Sequence, residues 1–298
     1  MKTLYTKSKY NNNSNNDKIN KYKPYLNYLK IKSSIRRYWT IYFIAIIITF
    51  VIKYISRIND SDAFIGILAP TARWASAISG ISFEYLPHMG YVNHFHQFLI
   101  APACSGIRFM LLTFLMCIFS FLYQIENTRK GYLWFIFSAG FSYVSTIFVN
   151  GIRIIASIYV PIQLESWKLM DGWLNQDRLH TIIGTTVYFS SLLIIYLIAD
   201  FICIRIFIQS QSDKLITTMP QNNNLTHSNG FMSIVDTIIV PSFWYLLIVL
   251  ALPLLSRIYH NDWAGFGQYA TLIICTCSSV MLIILIILMR RLIRIHRQ

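Results

Sequence analysis

Apolar residues in this chain come in long blocks separated by short polar stretches. The clearest blocks run from Tyr38 to Ile55, Phe98 to Tyr123, Tyr132 to Val160, Leu179 to Ile208, Ile234 to Leu255 and Tyr269 to Met289. Each is of the length, roughly 17–25 residues, that a helix needs to cross a hydrocarbon core of ~30 Å. They lack the strict apolar/polar alternation of a membrane β-barrel. Lipid offers the backbone no hydrogen-bonding partner, so such blocks predict helices. The expected fold is all-α: a polytopic transmembrane helix bundle of about six spans. The stretch Phe64–Ile81 is less apolar and holds Pro70 and Arg73. It reads as an interfacial or re-entrant helix, with a seventh span as the competing reading.

Composition supports this pattern. Of 298 residues, 55% are hydrophobic and 13% charged, about half the charged fraction of a soluble domain. Residues 1–37 are polar and basic, with the tract NNNSNN, and read as a disordered cytoplasmic tail. No small-residue cleavage site follows the first block, so it is expected to stay attached. Residues 38–208 form the membrane core. Residues 209–233 carry Pro and Asn clusters and read as a cytoplasmic linker. Residues 234–298 read as a two-span hairpin. No internal repeat is visible, which does not support an inverted-repeat transporter.

The net charge of +14 could suit nucleic acid, but the charge sits in tails and loops beside apolar blocks. It fits anionic membrane lipids and topology control better, and no nucleic-acid partner is expected. With six spans and the amino terminus inside, 18 of the 26 lysines and arginines fall on the cytoplasmic side. Six lie outside, and Arg108 and Arg153 lie within spans. The expected place is the plasma (inner) membrane, with both termini cytoplasmic. The five cysteines show no CxxC spacing, so neither a disulfide framework nor a zinc site is expected.

Orientation has a chemical consequence. The second span runs inward, with Cys104 expected one or two turns into it. The third runs outward, with Asn150 and Arg153 in its last turns. The fourth runs inward and opens on His180. Three helices thus bring a thiol, a guanidinium and an imidazole to similar depth near the extracytoplasmic face. A cation favours the thiolate, a histidine can shuttle the proton, and an arginine can stabilise an acyl-transfer oxyanion. Each residue also has a plainer reading: Cys104 as a packing residue, Arg153 snorkelling to headgroups, His180 at an interfacial helix start.

Local sequence adds a resemblance. APACSGIRF at 101–109, NGIRI at 150–154 and LHTIIG at 179–184 resemble the three signature segments of the exosortase/archaeosortase family, in the same order. The stretch PTARWASAISG…GYVNHFHQFLIAPACSG resembles that family's approach to the cysteine helix, and the pattern is most similar to the exosortase K subgroup. The resemblance covers roughly residues 64–205. It implies a membrane cysteine transpeptidase with Cys104 as nucleophile, Arg153 as stabilising cation and His180 as acid/base. It implies exported partner proteins ending in a short motif, a transmembrane helix and a basic tail. These would be cut through a thioester and passed to an acceptor amine, lipid or polysaccharide that the sequence does not identify. No cofactor is implied.

Arg108 departs from the K-type pattern, which tends to carry Asn there. Four residues after Cys104, it would share a helix face with the thiol and act as a second cation. The plain alternative is an ion pair with Glu126 or Asp200, both nearer the inner side. Asp177, three residues before His180, could orient the imidazole or simply favour the helix start. Asn150 could bond Arg153 or the substrate backbone, or serve as a helix-interface contact. Gly106, Gly151 and Gly184 allow close helix approach. His94 and His96, with His88 or Glu84, could make a metal site, but the loop is better read as shaping the substrate's approach. No GxSxG or HExxH is present, which argues against serine-type and zinc-type intramembrane proteolysis. From another class, a non-catalytic membrane scaffold or a transporter would keep these polar residues for packing or for a pathway.

Overall fold

The computed structural model describes residues 32–56, 64–96, 98–101, 104–167, 174–208, 230–251, 253–254 and 263–296. The expected tail up to residue 31 and most of the 209–233 linker lie outside the described residues. The helices are α1 (Lys32–Ser56), α2 (Ile65–Ser79), α3 (Ile107–Phe121), α4 (Thr128–Ser166), α5 (Gln176–Ile202), α6 (Gly230–Leu246) and α7 (Ala264–His296). Five of them are long and apolar enough to cross a membrane, and α6 with its following turn adds a shorter apolar helix. The chain is a polytopic membrane helix bundle, as the apolar blocks predict.

The side-chain pattern of α4 is the reverse of a soluble helix. Its buried face carries Ser138, Ser142, Thr146, Asn150, Arg153 and Ser157. Its exposed face carries Leu133, Ile136, Val144, Phe148 and Ile152. Small and polar groups inside, large apolar groups outside, is the arrangement that lipid selects.

One end of the bundle is tied together by backbone carbonyls. Tyr38 Oη donates to the Ile125 carbonyl at 2.9 Å, Arg37 donates to that of Glu126, and Lys130 Nζ donates to that of Phe207 at 3.0 Å. Gly131 lets the Tyr38 ring lie directly on α4. This end, called the base, gathers the start of α1, the α3–α4 turn and the end of α5. The contact also explains why helix is present from Lys32, six residues before the expected start. Residues 32–37 belong to this anchor, not to a disordered tail.

At the far end, α2 stands along α4 and does not lie across it. The contacts step in register: Tyr143 Oη donates to Gly66 O, Trp74 Nε1 to Phe148 O, and Tyr159 Oη to Ser79 O. With 15 residues, α2 is ~22 Å long, short of a full crossing. It is a partial-depth helix inside the bundle. The following residues form an antiparallel sheet, β1 (Glu84–Leu86), β2 (Gly90–Asn93) and β3 (Phe98–Ile100), in that order. Val92 faces both Glu84 and Leu99 across its two neighbours. The sequence reading did not anticipate this sheet, and it replaces the expected helical start at Phe98. Gly106, at φ +77°, is in a conformation no α-helix accepts, so α3 begins only at Ile107.

The hairpin of α6 and α7 packs on α5. Tyr245 is buried edge-on against Phe189, with ring centroids 5.3 Å apart.

Candidate active site

The late start of α3 changes where Cys104 sits. It is not one or two turns into a helix but in the short segment before α3, half-buried, with its N–H bonded to Ala101 O at 2.8 Å. The expectation that Arg108 shares a helix face with the thiol therefore fails, because Gly106 turns the chain between them. Arg108 is the second residue of α3 and is exposed. Its charge acts on Tyr188 and Tyr269.

Helix α4 presents Asn150 and Arg153 three residues apart on its buried face. Asn150 Nδ2 donates to Cys104 O at 2.7 Å, so the cysteine's backbone is held from α4. Gly106 makes this approach possible: a Cβ there would stand 2.9 Å from Thr146 Cγ2 and 3.0 Å from Asn150 Cγ.

Arg153 is 8% exposed and lies on the buried face of α4. Its Nη2 lies 2.7 Å from His180 Nε2, and the guanidinium is within electrostatic range of the Cys104 thiol. Its Nη1 donates to Tyr188 Oη at 3.3 Å. The Tyr188 ring centroid is 5.3 Å from the guanidinium carbon. Arg153 Nε has no protein partner, and no carboxylate pairs with the group among the described residues. An arginine cannot accept a hydrogen bond, so His180 Nε2 must accept here, and the neutral ring carries its proton on Nδ1. Gly184, one turn after His180, leaves room for the guanidinium; a Cβ there would lie 3.3 Å from Arg153 Nε.

The structure thus brings Cys104, Asn150, Arg153 and His180 together. It leaves Asp177 exposed in the first turn of α5, beside the Asn175 cap, with no hydrogen bond to the imidazole. His94 pairs with Glu84 at 3.4 Å on the sheet, and no group of three metal-type ligands is found among the described residues.

Tyr188 is a site residue that the sequence reading missed. It stacks on Phe109, with centroids 4.8 Å apart and planes 15° from parallel, and its Oη donates to Asn150 Oδ1 at 2.8 Å. A signal existed: His180, Gly184 and Tyr188 recur every four residues, so they share one face of α5.

A family model described as transmembrane exosortase matches residues 28–197, which includes every residue of this cluster. No curated protein and no solved structure matches the chain.

Proposed function

The chain belongs to the transmembrane exosortase family, and we propose that it is a membrane cysteine transpeptidase with Cys104 as nucleophile. One observation carries the reading. Arg153 is a buried cation without a carboxylate partner among the described residues; it contacts the His180 imidazole and lies within electrostatic range of the Cys104 thiol, whose backbone Asn150 holds from the same helix face. An uncompensated buried cation favours whatever negative charge forms beside it. Two such charges arise in acyl transfer: the thiolate and the oxyanion of the tetrahedral intermediate.

The steps follow from these contacts. Opening of the Arg153–His180 bond frees Nε2 to take the thiol proton. The thiolate attacks the scissile carbonyl, a C–S bond forms, and Arg153 turns to the oxyanion. The C–N bond then breaks, and the imidazolium returns its proton to the leaving amine. An acceptor amine, or water, resolves the thioester by the reverse sequence. Asn150, bonded to Cys104 O, fixes the nucleophile's backbone throughout.

The substrate class is an exported protein whose carboxy terminus ends in a short motif, a transmembrane helix and a basic tail. The base of the bundle carries Arg37, Arg129 and Lys130 and is the cytoplasmic end by the positive-inside rule. The site at the other end then faces the extracytoplasmic side, where a substrate's motif would emerge while its basic tail stays inside.

The test replaces Cys104 with alanine and follows, in membranes, a reporter protein carrying such a tripartite tail. Processing should stop, whereas processing at the wild-type rate would refute the reading. Reporter fusions after residues 90, 127 and 165 check the orientation; the first and last should report outside.

A further inference from the structure

The hydrogen-bond directions around Tyr188 admit one arrangement. Arginine only donates, so Tyr188 Oη must accept from Arg153 Nη1. The hydroxyl's single proton then goes to Asn150 Oδ1. That contact orients the amide, and leaves Nδ2 to donate to Cys104 O. From these contacts we infer that Tyr188 is a positioning residue, whose hydroxyl couples the guanidinium of Arg153 to the backbone of Cys104 through Asn150. The inference rests on the catalytic reading above.

The surroundings make the coupling rigid. Tyr188 is half-buried and held flat against Phe109, the third residue of α3. Asn150 is fully buried on α4. One side chain from α5 thereby fixes the relative position of α3, which follows the nucleophile, and α4, which carries the cation. Without the hydroxyl, Nη1 loses its acceptor and the amide loses the contact that sets its orientation. The guanidinium can then swing away from the thiol. The charged and titratable groups around this cluster are Cys104 before α3, Arg108 on α3, Arg153 on α4, Asp177, His180 and Tyr188 on α5, and Tyr245 on α6.

The experiment uses N-ethylmaleimide on the full chain in detergent, with modification of the Cys104 peptide followed by mass spectrometry. Cys275→Ala removes the exposed competing thiol, and Cys117, Cys203 and Cys277 are buried. Tyr188→Phe keeps the stacked ring and deletes only the hydroxyl. Near neutral pH it should slow Cys104 modification roughly tenfold or more, the weight of one hydrogen bond to a charged group. The difference should vanish at a pH where any thiol is ionised. A change in packing alone would alter access equally at every pH, and that outcome would overturn the inference, as would a wild-type profile. Asn150→Ala should give the same profile, and the double variant should be no slower than the slower single one. Multiplying effects would mean that the two residues act separately. If Tyr188→Phe fails to fold, Asn150→Ala alone decides by the same pH criterion. Failure here with Cys104→Ala still inactive overturns only the positioning role. Normal processing by Cys104→Ala overturns the catalytic reading instead.

Discussion

Replacing Gly106 with alanine tests how the nucleophile's segment is seated. Two costs are visible in the structure. Gly106 holds φ at +77°, a left-handed conformation that costs a residue with a side chain about 1–3 kcal/mol. The new methyl would also press on Thr146 at 2.9 Å and on Asn150 at 3.0 Å. Both neighbours are fully buried, so neither has open space to retreat into. Overpacking of this kind costs about 1–3 kcal/mol. Together the penalty is about 2–6 kcal/mol, a large share of the ~5–15 kcal/mol typical of a folded protein. No gain in helix propensity offsets it, because Gly106 precedes α3. Gly140 supplies an internal control. It lies inside α4 with nothing near its missing Cβ, so alanine there should be neutral or stabilising by up to ~1 kcal/mol. The assay is thermal unfolding of the purified full chain in detergent, read by tryptophan fluorescence. Gly106→Ala should melt several degrees below wild type and Gly140→Ala at or above it. Since the strain falls on Asn150, Gly106→Ala should also reduce substrate processing at temperatures where it remains folded. If the two variants melt together, the left-handed turn does not carry the weight assigned to it here.

Arg153→Lys keeps the charge but loses the planar fork that reaches His180 and Tyr188 at once. Processing of the tripartite reporter should fall roughly 100-fold or more, in line with removal of an oxyanion donor; near-wild-type turnover would show that a point charge suffices. Asp177→Asn should leave processing within about twofold, since the carboxylate is exposed and a charge at a helix start is worth ~0.3–1 kcal/mol. A hundredfold loss in the same assay would place Asp177 in the machinery.

The helices were legible because each apolar block is a local property: its length against the thickness of lipid decides it. The small sheet was not. Its strands are three or four residues long, and their pairing depends on β2 lying between two partners, which no local pattern encodes. The start of α3 was misplaced for a related reason. Hydropathy rises at Phe98, but the backbone there is committed first to β3 and then to the Gly106 turn. That shift moved Cys104 off the helix and removed the basis for pairing it with Arg108.

The order of residues along the chain already puts Cys104, Arg153 and His180 near one end of a membrane bundle, because span direction and position along a span set depth. It also contained the segments that carry the family likeness. How these groups meet is a matter of three-dimensional packing. Arg153 meets the imidazole, Asn150 holds the cysteine's carbonyl, and Tyr188 joins the two. Depth is a one-dimensional property that a chain writes in its hydropathy. Contact between side chains depends on how three helices are rotated and how closely they approach, and that is settled by Gly106, Gly184 and the rings packed around them.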